Sequence, residues 1–253
     1  MTSAWQAFFD EIARGRDAGQ LAEFWWRDDD AARPDPALSR LLSLAGRTAT
    51  PLSLAVIPMR STREIFERLG PSVSILQHGS DHANRGAPGE KKTEFAPAES
   101  AAEAVARLCA GRSHLETISG GRLLPVLAPP WNRLPEPLAP LLAAAGYRGL
   151  SQYGARQRAV AAPGLRQVNT HVDIIAWRSG GGFAGEDAVL TLATSHLAAK
   201  RVAAADAGEP TGWLTHHAVH DEAAWNFLDR LIDSTRQLPG VAWCRPEEIF
   251  HIR

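Results

Sequence analysis

Two cysteines in 253 residues, Cys109 and Cys244, exclude a disulfide framework as the basis of stability. Cys109 lies in an alanine-rich helical stretch and reads as a small buried apolar residue, and Cys244 closes a short apolar run after Trp243. Neither is taken as a nucleophile. Charge of one sign is lacking too: 27 Lys and Arg stand against 28 Asp and Glu, a formal net charge of −1. Nothing global therefore favours nucleic acid or an anionic membrane as a partner, and the basic pairs Lys91-Lys92 and Lys200-Arg201 read as solvated surface. No apolar run approaches the roughly 20 residues that span a bilayer. The opening MTSAWQAFFDEIARGRDAG carries Asp10 and Glu11 and lacks a basic start followed by a long apolar stretch. No secretory signal is read there, so a cytoplasmic location is expected. No internal repeat is visible, and no G-x-G-x-x-G follows the early strands, which speaks against an open dinucleotide-binding sheet.

What is present is alternation. Residues 4 to 18 place Trp5, Phe8, Phe9 and Ile12 at helical spacing, and Phe24-Trp25-Trp26 forms a short apolar run ending in Arg27-Asp28-Asp29-Asp30. Strands are expected at 51–58, 72–77, 122–131, 147–154, 167–177 and 212–217, with a short closing run at 241–244. Helices are expected at 36–45, 61–69, 98–118, 138–145, 185–200 and 221–236, and the polar, glycine-containing stretch 78–95 is expected to be a loop. About seven or eight strand-then-helix units without a long linker predict a parallel sheet covered by helices. At this length the expectation is one domain over residues 1–253, a closed or nearly closed barrel, with an open doubly wound sheet as the alternative.

The polar residues fall where apolar runs end. Asp28-Asp29-Asp30 follow Phe24–Trp26, His78 follows Ile75-Leu76, Pro130-Trp131-Asn132-Arg133 follow Val126-Leu127, and His216-His217 follow Trp213-Leu214. In a β/α barrel those ends share one face, so residues distant in sequence converge there. Three adjacent carboxylates repel one another and need a positive partner, either a divalent cation or Arg27, unless they form an exposed acidic turn. His78 and His82, four residues apart, offer two imidazoles to a first-row metal, although such pairs also arise by chance. Two histidines and one carboxylate leave coordination positions for water and substrate. A strand-end histidine at 216 or 217 suits a general acid, with Asp173 to orient or charge it. His114, His171, His196 and His251 lack such company and read as structural or surface residues.

In this order the pieces resemble the polysaccharide deacetylase family, the NodB-homology group of carbohydrate esterase family 4, over about residues 24 to 217. The resemblance implies an α/β fold, a distorted (β/α) TIM-like barrel with about seven parallel strands. It implies a metal-dependent hydrolase that removes an acetyl or other acyl group from an N-acetylated sugar or a related small N-acyl compound. R-D-D-D-A (27–31) places Asp29 as general base and Asp30 as metal ligand, with His78 and His82 as the other ligands. Zinc is the first choice of cofactor, with cobalt, nickel or iron as alternatives. A-P-P-W-N-R (128–133) keeps Pro130, Trp131 and Asn132, followed by Arg133, as substrate-binding residues, but Ala128 stands where the family has the arginine that orients the base. Arg27 and Arg133 are the candidates to replace it. Asp173 with Trp177 matches the fourth motif, and W-L-T-H-H matches the fifth with either His216 or His217 as catalytic acid. His216 has the usual spacing from Trp213-Leu214. Trp25, Trp131 and Trp177 are open between stacking on a sugar and packing in the core. Two alternatives accompany this reading: hydrolysis of another C–N bond, in an amide or cyclic ureide, and a metal-binding member without turnover, which Ala128 raises.

Overall fold

The computed structural model describes residues 3–252, and in it the apolar runs become the staves of a barrel. In chain order the elements are α1 (Ser3–Asp17), β1 (Ala22–Ala31), α2 (Pro36–Thr48), β2 (Leu52–Val56), β3 (Val73–His78), α3 (Ala101–Ser119), β4 (Leu123–Ala128) and α4 (Leu138–Ala144). There follow β5 (Gly149–Leu150), β6 (Val160–Ala162), β7 (Leu165–Gln167), β8 (Val172–Asp173), α5 (Glu186–Arg201), β9 (Thr211–Thr215), α6 (Glu222–Thr235), β10 (Val241–Trp243) and α7 (Pro246–Ile249).

The sheet runs β6-β7-β5-β4-β3-β2-β1-β9-β8, and β10 pairs with the start of β1. Every pairing is parallel except the β6–β7 hairpin, which turns at Pro163-Gly164 with Gly164 at φ 82°. β7 and β8 are two ends of one extended run. Val168 N donates to Leu150 O (3.1 Å), Thr170 N to Gln152 O (3.0 Å) and His171 N to Gly212 O (2.7 Å). Residues 165–173 thus pair with β5 at one end and with β9 at the other, and this closes a ring of seven parallel staves.

Alternation along β1 separates two kinds of packing, because successive side chains leave a strand on opposite faces. Phe24 and Trp26 join Trp213, Trp5, Phe8 and Phe227 in the layer between the staves and the helices α1 and α6. Trp25 packs instead with Ala55, Leu76, Val126, Ala128 and Val168, and Phe250 stands edge-on to it at a centroid distance of 5.9 Å. Each large side chain fully buried this way contributes about 2–3 kcal/mol. Gly149 is required there, since a Cβ would come within 2.6 Å of the Phe250 ring.

The helix ends follow from their caps. The Asp35 carboxylate accepts from Leu38 N (2.7 Å) at the start of α2, and Ser100 and Glu103 form a capping box on α3. The expected helix over 61–69 is instead a pair of 3-10 turns, Pro58–Arg60 and Arg63–Arg68. Between Pro58 and Gly70-Pro71 the chain is too short to repay α-helix nucleation, and it buries the adjacent pair Ile65 and Phe66 rather than a helical stripe. The expected strand 147–154 shrinks to two residues, and the strand expected over 167–177 ends at Asp173 because the chain turns there to bring Trp177 back. No helix among the described residues is long and apolar enough to cross a membrane.

Candidate metal centre

Three consecutive aspartates at the end of β1 meet three different fates. Asp29 follows Trp25 and Arg27 on one side of the strand. It forms a two-point ion pair with Arg27, with Nε 2.9 Å from Oδ1 and Nη2 donating to Oδ2 at 3.0 Å. Asp28 shares the other side with Trp26, and both bond to Thr215: Trp26 Nε1 donates to Oγ1 (2.8 Å), which donates to Asp28 Oδ2 (2.6 Å). His217 completes that pair, with its backbone N 3.0 Å from Asp28 Oδ2 and its Nδ1 against Oδ1. Burial opposes ionisation of Asp28, but His217 more than offsets it and lowers the carboxyl pKa. Asp30 breaks the alternation, with φ at 68°, and so turns away from both neighbours. A left-handed non-glycine residue costs about 1–3 kcal/mol and persists only where its surroundings enforce it.

Asp30 meets His78, the last residue of β3, and His82, four residues on. Its Oδ1 lies 3.1 Å from Nε2 of each ring, and the three ligand atoms fall within 4.8 Å of one another. The tautomer of His78 is fixed by its other nitrogen. Nδ1 is 2.9 Å from the carbonyl oxygen of Ala128, which can only accept, so Nδ1 carries the proton and Nε2 presents a lone pair to Asp30. Two acceptor atoms then face each other, and Asp30 Oδ1 is buried without a hydrogen-bond donor. A cation resolves that conflict. Separations near 3 Å are those of atoms sharing an ion at roughly 2.0–2.2 Å, and two imidazole nitrogens with one carboxylate oxygen suit a first-row divalent metal. Without an ion the conflict is relieved by a proton on His78 Nε2 instead: against the opposing effect of burial, hydrogen bonds from His78 and His82 draw Asp30 far below the usual carboxylate range. Burial likewise opposes a charge on His78, but Asp29 and Asp30 raise its pKa. The Asp30 side chain keeps 32% exposure, so the centre opens to solvent on one side.

Arg27, one of the two candidates, is the arginine that reaches Asp29. It is fully buried and spends its remaining donors on Ser151 O (3.1 Å), Ser151 Oγ (2.6 Å) and Asn132 Oδ1 (2.6 Å). Ala128 packs in the same interior cluster as Trp25. Arg133, the other candidate, points away to the carbonyl of Lys92.

Of the two adjacent histidines, His216 faces the centre. Its Nε2 is 4.0 Å from Asp29 Oδ2, its ring is edge-on to Trp177 at 4.7 Å, and its Nδ1 is buried without a partner. His217 is consumed by Asp28 in the wall. Asp173 does not bond to His216. Its oxygens accept from Ile175 N (3.0 Å) and Trp177 Nε1 (2.8 Å). Burial pushes the Asp173 carboxyl up despite that opposing imidazole. Pro130, Trp131 and Asn132 form a 3-10 turn in which Trp131 and Asn132 have φ of 55° and 57°, and the Trp131 ring lies 4.5 Å from His82. Trp25 is core, whereas Trp177 is 49% exposed and offers a free face. Beside Asn132 opens a cavity of about 610 Å³, lined chiefly by polar side chains including Gln152, Tyr153, Arg158 and Gln167.

Glu94 is a residue that the sequence reading left inside a loop. It is fully buried, and its carboxylate accepts from the backbone N–H groups of Ser80, Asp81 and His82. The signal is faint: an acid directly before Phe95, one of three in the polar stretch 78–95 with Asp81 and Glu90. His171 and His196, read as solitary, in fact lie with Glu209 in a second buried cluster.

No family model matches the chain, and no curated protein matches it in sequence. Its fold has counterparts among solved structures. It is similar to the peptidoglycan deacetylase PdaC from Bacillus subtilis at 15% identity and a TM-score of 0.52, over 92% of this chain and 91% of that one. A polysaccharide deacetylase from Bacillus cereus is 15% identical with a TM-score of 0.52, over 89% and 92% of the two chains. A family 4 carbohydrate esterase from Streptomyces lividans, solved with acetate, is 12% identical with a TM-score of 0.51, over 88% and 90%. These likenesses show that the chain has the barrel fold of those enzymes.

Proposed function

We propose that the whole chain is one catalytic domain, a divergent member of the polysaccharide deacetylase family. It hydrolyses the acyl group of an N-acetylated sugar or a related small N-acyl compound. The observation that carries this reading is the convergence of three metal-type acceptors, Asp30, His78 and His82, with the Arg27-held Asp29 and His216 beside them. A likeness of fold to carbohydrate deacetylases supports the same chemistry.

Asp30, His78 and His82 hold the cation, for which zinc is the first choice and cobalt, nickel or iron the alternatives. When bound, such an ion polarises the acyl carbonyl and acidifies water. Asp29 accepts the proton of the attacking water, and Arg27 aims that carboxylate. His216 Nε2, on the far side of Asp29 Oδ2, donates a proton to the departing nitrogen. One C–O bond forms and one C–N bond breaks, releasing a carboxylate and an amine. Asp173 supports the protonated imidazole through charge, and Trp177 both holds Asp173 and presents a face for a sugar ring. Pro130, Trp131, Asn132 and Arg133 shape the neighbouring wall, and the polar cavity beyond Asn132 suits a hydroxyl-rich leaving group.

The deciding experiment assays the metal-loaded protein for acetate release on a panel of N-acetylated sugars set against simple amides and cyclic ureides. Turnover of the sugars with loss of activity in Asp29→Asn supports the reading. Turnover of only the ureides or amides replaces the substrate class, and a fully loaded protein inert on every substrate replaces catalysis with binding.

A further inference from the structure

We propose that Glu94 is a positioning residue for the ligand His82, an anionic anchor that sets the ligand loop before any metal arrives. This rests on the reading of Asp30, His78 and His82 as ligands. One oxygen, Oε1, accepts from three successive amides: Ser80 N (2.9 Å), Asp81 N (2.9 Å) and His82 N (2.8 Å). Oε2 takes a second bond from Ser80 N (3.0 Å) and faces Arg107 Nη1 at 3.3 Å. Consecutive N–H groups pointing into one concavity form an anion-binding nest, and here the anion belongs to the protein. The nest is what bends the backbone so that His82 sits at φ 55°, a conformation a histidine does not hold by preference.

The surroundings are built for that carboxylate. Gly79, between His78 and the nest, has φ 58°, and a Cβ there would come within 2.5 Å of Glu94 Oε2 and of the Pro130 ring. Arg107 reaches it from α3, where Glu99 holds the guanidinium at 2.9 Å, and Arg107 also donates to the Glu94 carbonyl at 3.1 Å. Helix α3 is thereby coupled through Arg107 and Glu94 to the backbone of His82. Removing partners outside the ligand shell typically weakens metal binding by about 10–100-fold.

The variant Glu94→Gln is nearly isosteric but presents an NH2 group where an oxygen now meets Arg107 and Ser80 N. Zinc affinity is measured by chelator competition on the full chain, and ligand geometry by the visible spectrum of the cobalt-loaded protein. The expected result is a fall in affinity of about 10–100-fold, shifted cobalt bands, and turnover that saturating zinc restores without a change in KM. A folded Glu94→Gln protein with wild-type affinity and spectrum overturns the inference. Should that variant not fold, Glu94→Asp, which keeps the charge but falls one methylene short of the amides, decides on the same two readouts. If the wild-type chain itself takes up neither zinc nor cobalt, the ligand assignment fails; if it does and both variants bind equally well, the role of Glu94 alone fails.

Discussion

Among the described residues the barrel contains two clusters of two histidines and a carboxylate, Asp30-His78-His82 and His171-His196-Glu209, and in each the ligand atoms lie within 4.8 Å of one another. Composition and spacing do not tell them apart; the second ring nitrogen does. His78 Nδ1 meets a carbonyl oxygen, which frees Nε2 as a donor to metal. His171 Nδ1 meets an N–H: Gly212 donates to it at 3.0 Å, so the neutral ring keeps its proton on Nε2, directed at Glu209 Oε2 at 3.3 Å. Glu209 is already spent on Arg156 N (2.9 Å) and Asn169 N (2.8 Å). His196 stacks on His171 at 3.6 Å and meets Thr211 Oγ1 at 2.9 Å, with the buried Lys200 on the same helix. The second cluster is therefore a buried joint in which Gly212 N, Arg156 N, Asn169 N and Thr211 Oγ1 engage its members, tying α5 and the loop before β9 to the closing stave, whereas the first is a set of converging lone pairs. Where a ring's far nitrogen points decides whether such a trio holds an ion or holds the fold.

The sharpest break of this comparison is to remove one ligand from each trio. Asp30→Ala or His78→Ala is expected to empty the centre by elemental analysis and to lower acyl release by roughly 10³-fold or more, the several kcal/mol a metal supplies. His171→Ala is expected to keep full metal content and lose only stability. A metal loss in His171→Ala equal to that in His78→Ala would make the two trios equivalent after all. A smaller effect is expected at Arg27, which serves the base and not the ligands. Arg27→Met should retain metal while turnover falls about 10²-fold, and stability should drop by about 3–5 kcal/mol because Asp29 is left buried and unpaired. Lysine at the same position is not expected to rescue it, since the two-point pairing needs a guanidinium.

The joint has its own signature in pH. Burial, reinforced by the neighbouring His171 and Lys200, pushes His196 down to about 2. An unfolded histidine protonates near 6.5. The folded state binds fewer protons between those values, so the stability that His196 contributes is complete above about pH 6.5 and is lost as the pH falls through that window. Urea unfolding of the metal-free protein is expected to show stability declining below pH 6.5, with a shallower slope in His196→Gln. An unchanged slope would mean that this ring is not held neutral. Smallest of all is Trp177→Phe, which removes the bond to Asp173. KM for a sugar substrate is expected to rise about fivefold, close to the ~1 kcal/mol of one hydrogen bond, with metal content untouched.

Much of the centre was legible because the fold converts strand ends into neighbours. Asp30, His78 and His82 come together as their order suggested, and seven staves stand where alternating runs predicted them. Arg27 was half legible: it lies two residues from Asp29, the spacing that puts both on one face of a strand, but nothing in the sequence shows that Ser151 and Asn132 would fix its other end. The pair Asp28–His217 was hidden because the acidic triple reads as one feature until the strand sorts it by side. Glu94 and the Glu209 joint were illegible for a different reason. Each depends on loops folding back across 12 to 53 residues onto backbone amides, which every sequence possesses alike. Asp173 was expected to orient or charge the histidine; it stands in that sector, with its oxygens bonded to Ile175 N and Trp177 Nε1.

The acidic triple on β1 carries a consequence for how this chain can change over time. Asp28, Asp29 and Asp30 are chemically interchangeable, and only direction distinguishes the one held by Thr215, the one paired with Arg27 and the one facing His78 and His82. A one-residue insertion or deletion upstream in β1 would preserve an acidic residue at two of the three stations while reversing which side each faces. Such a lineage would keep the local spelling of the motif and lose the arrangement of the centre. Drift in this strand is therefore confined to substitution, and its length is the most heritable part of the centre.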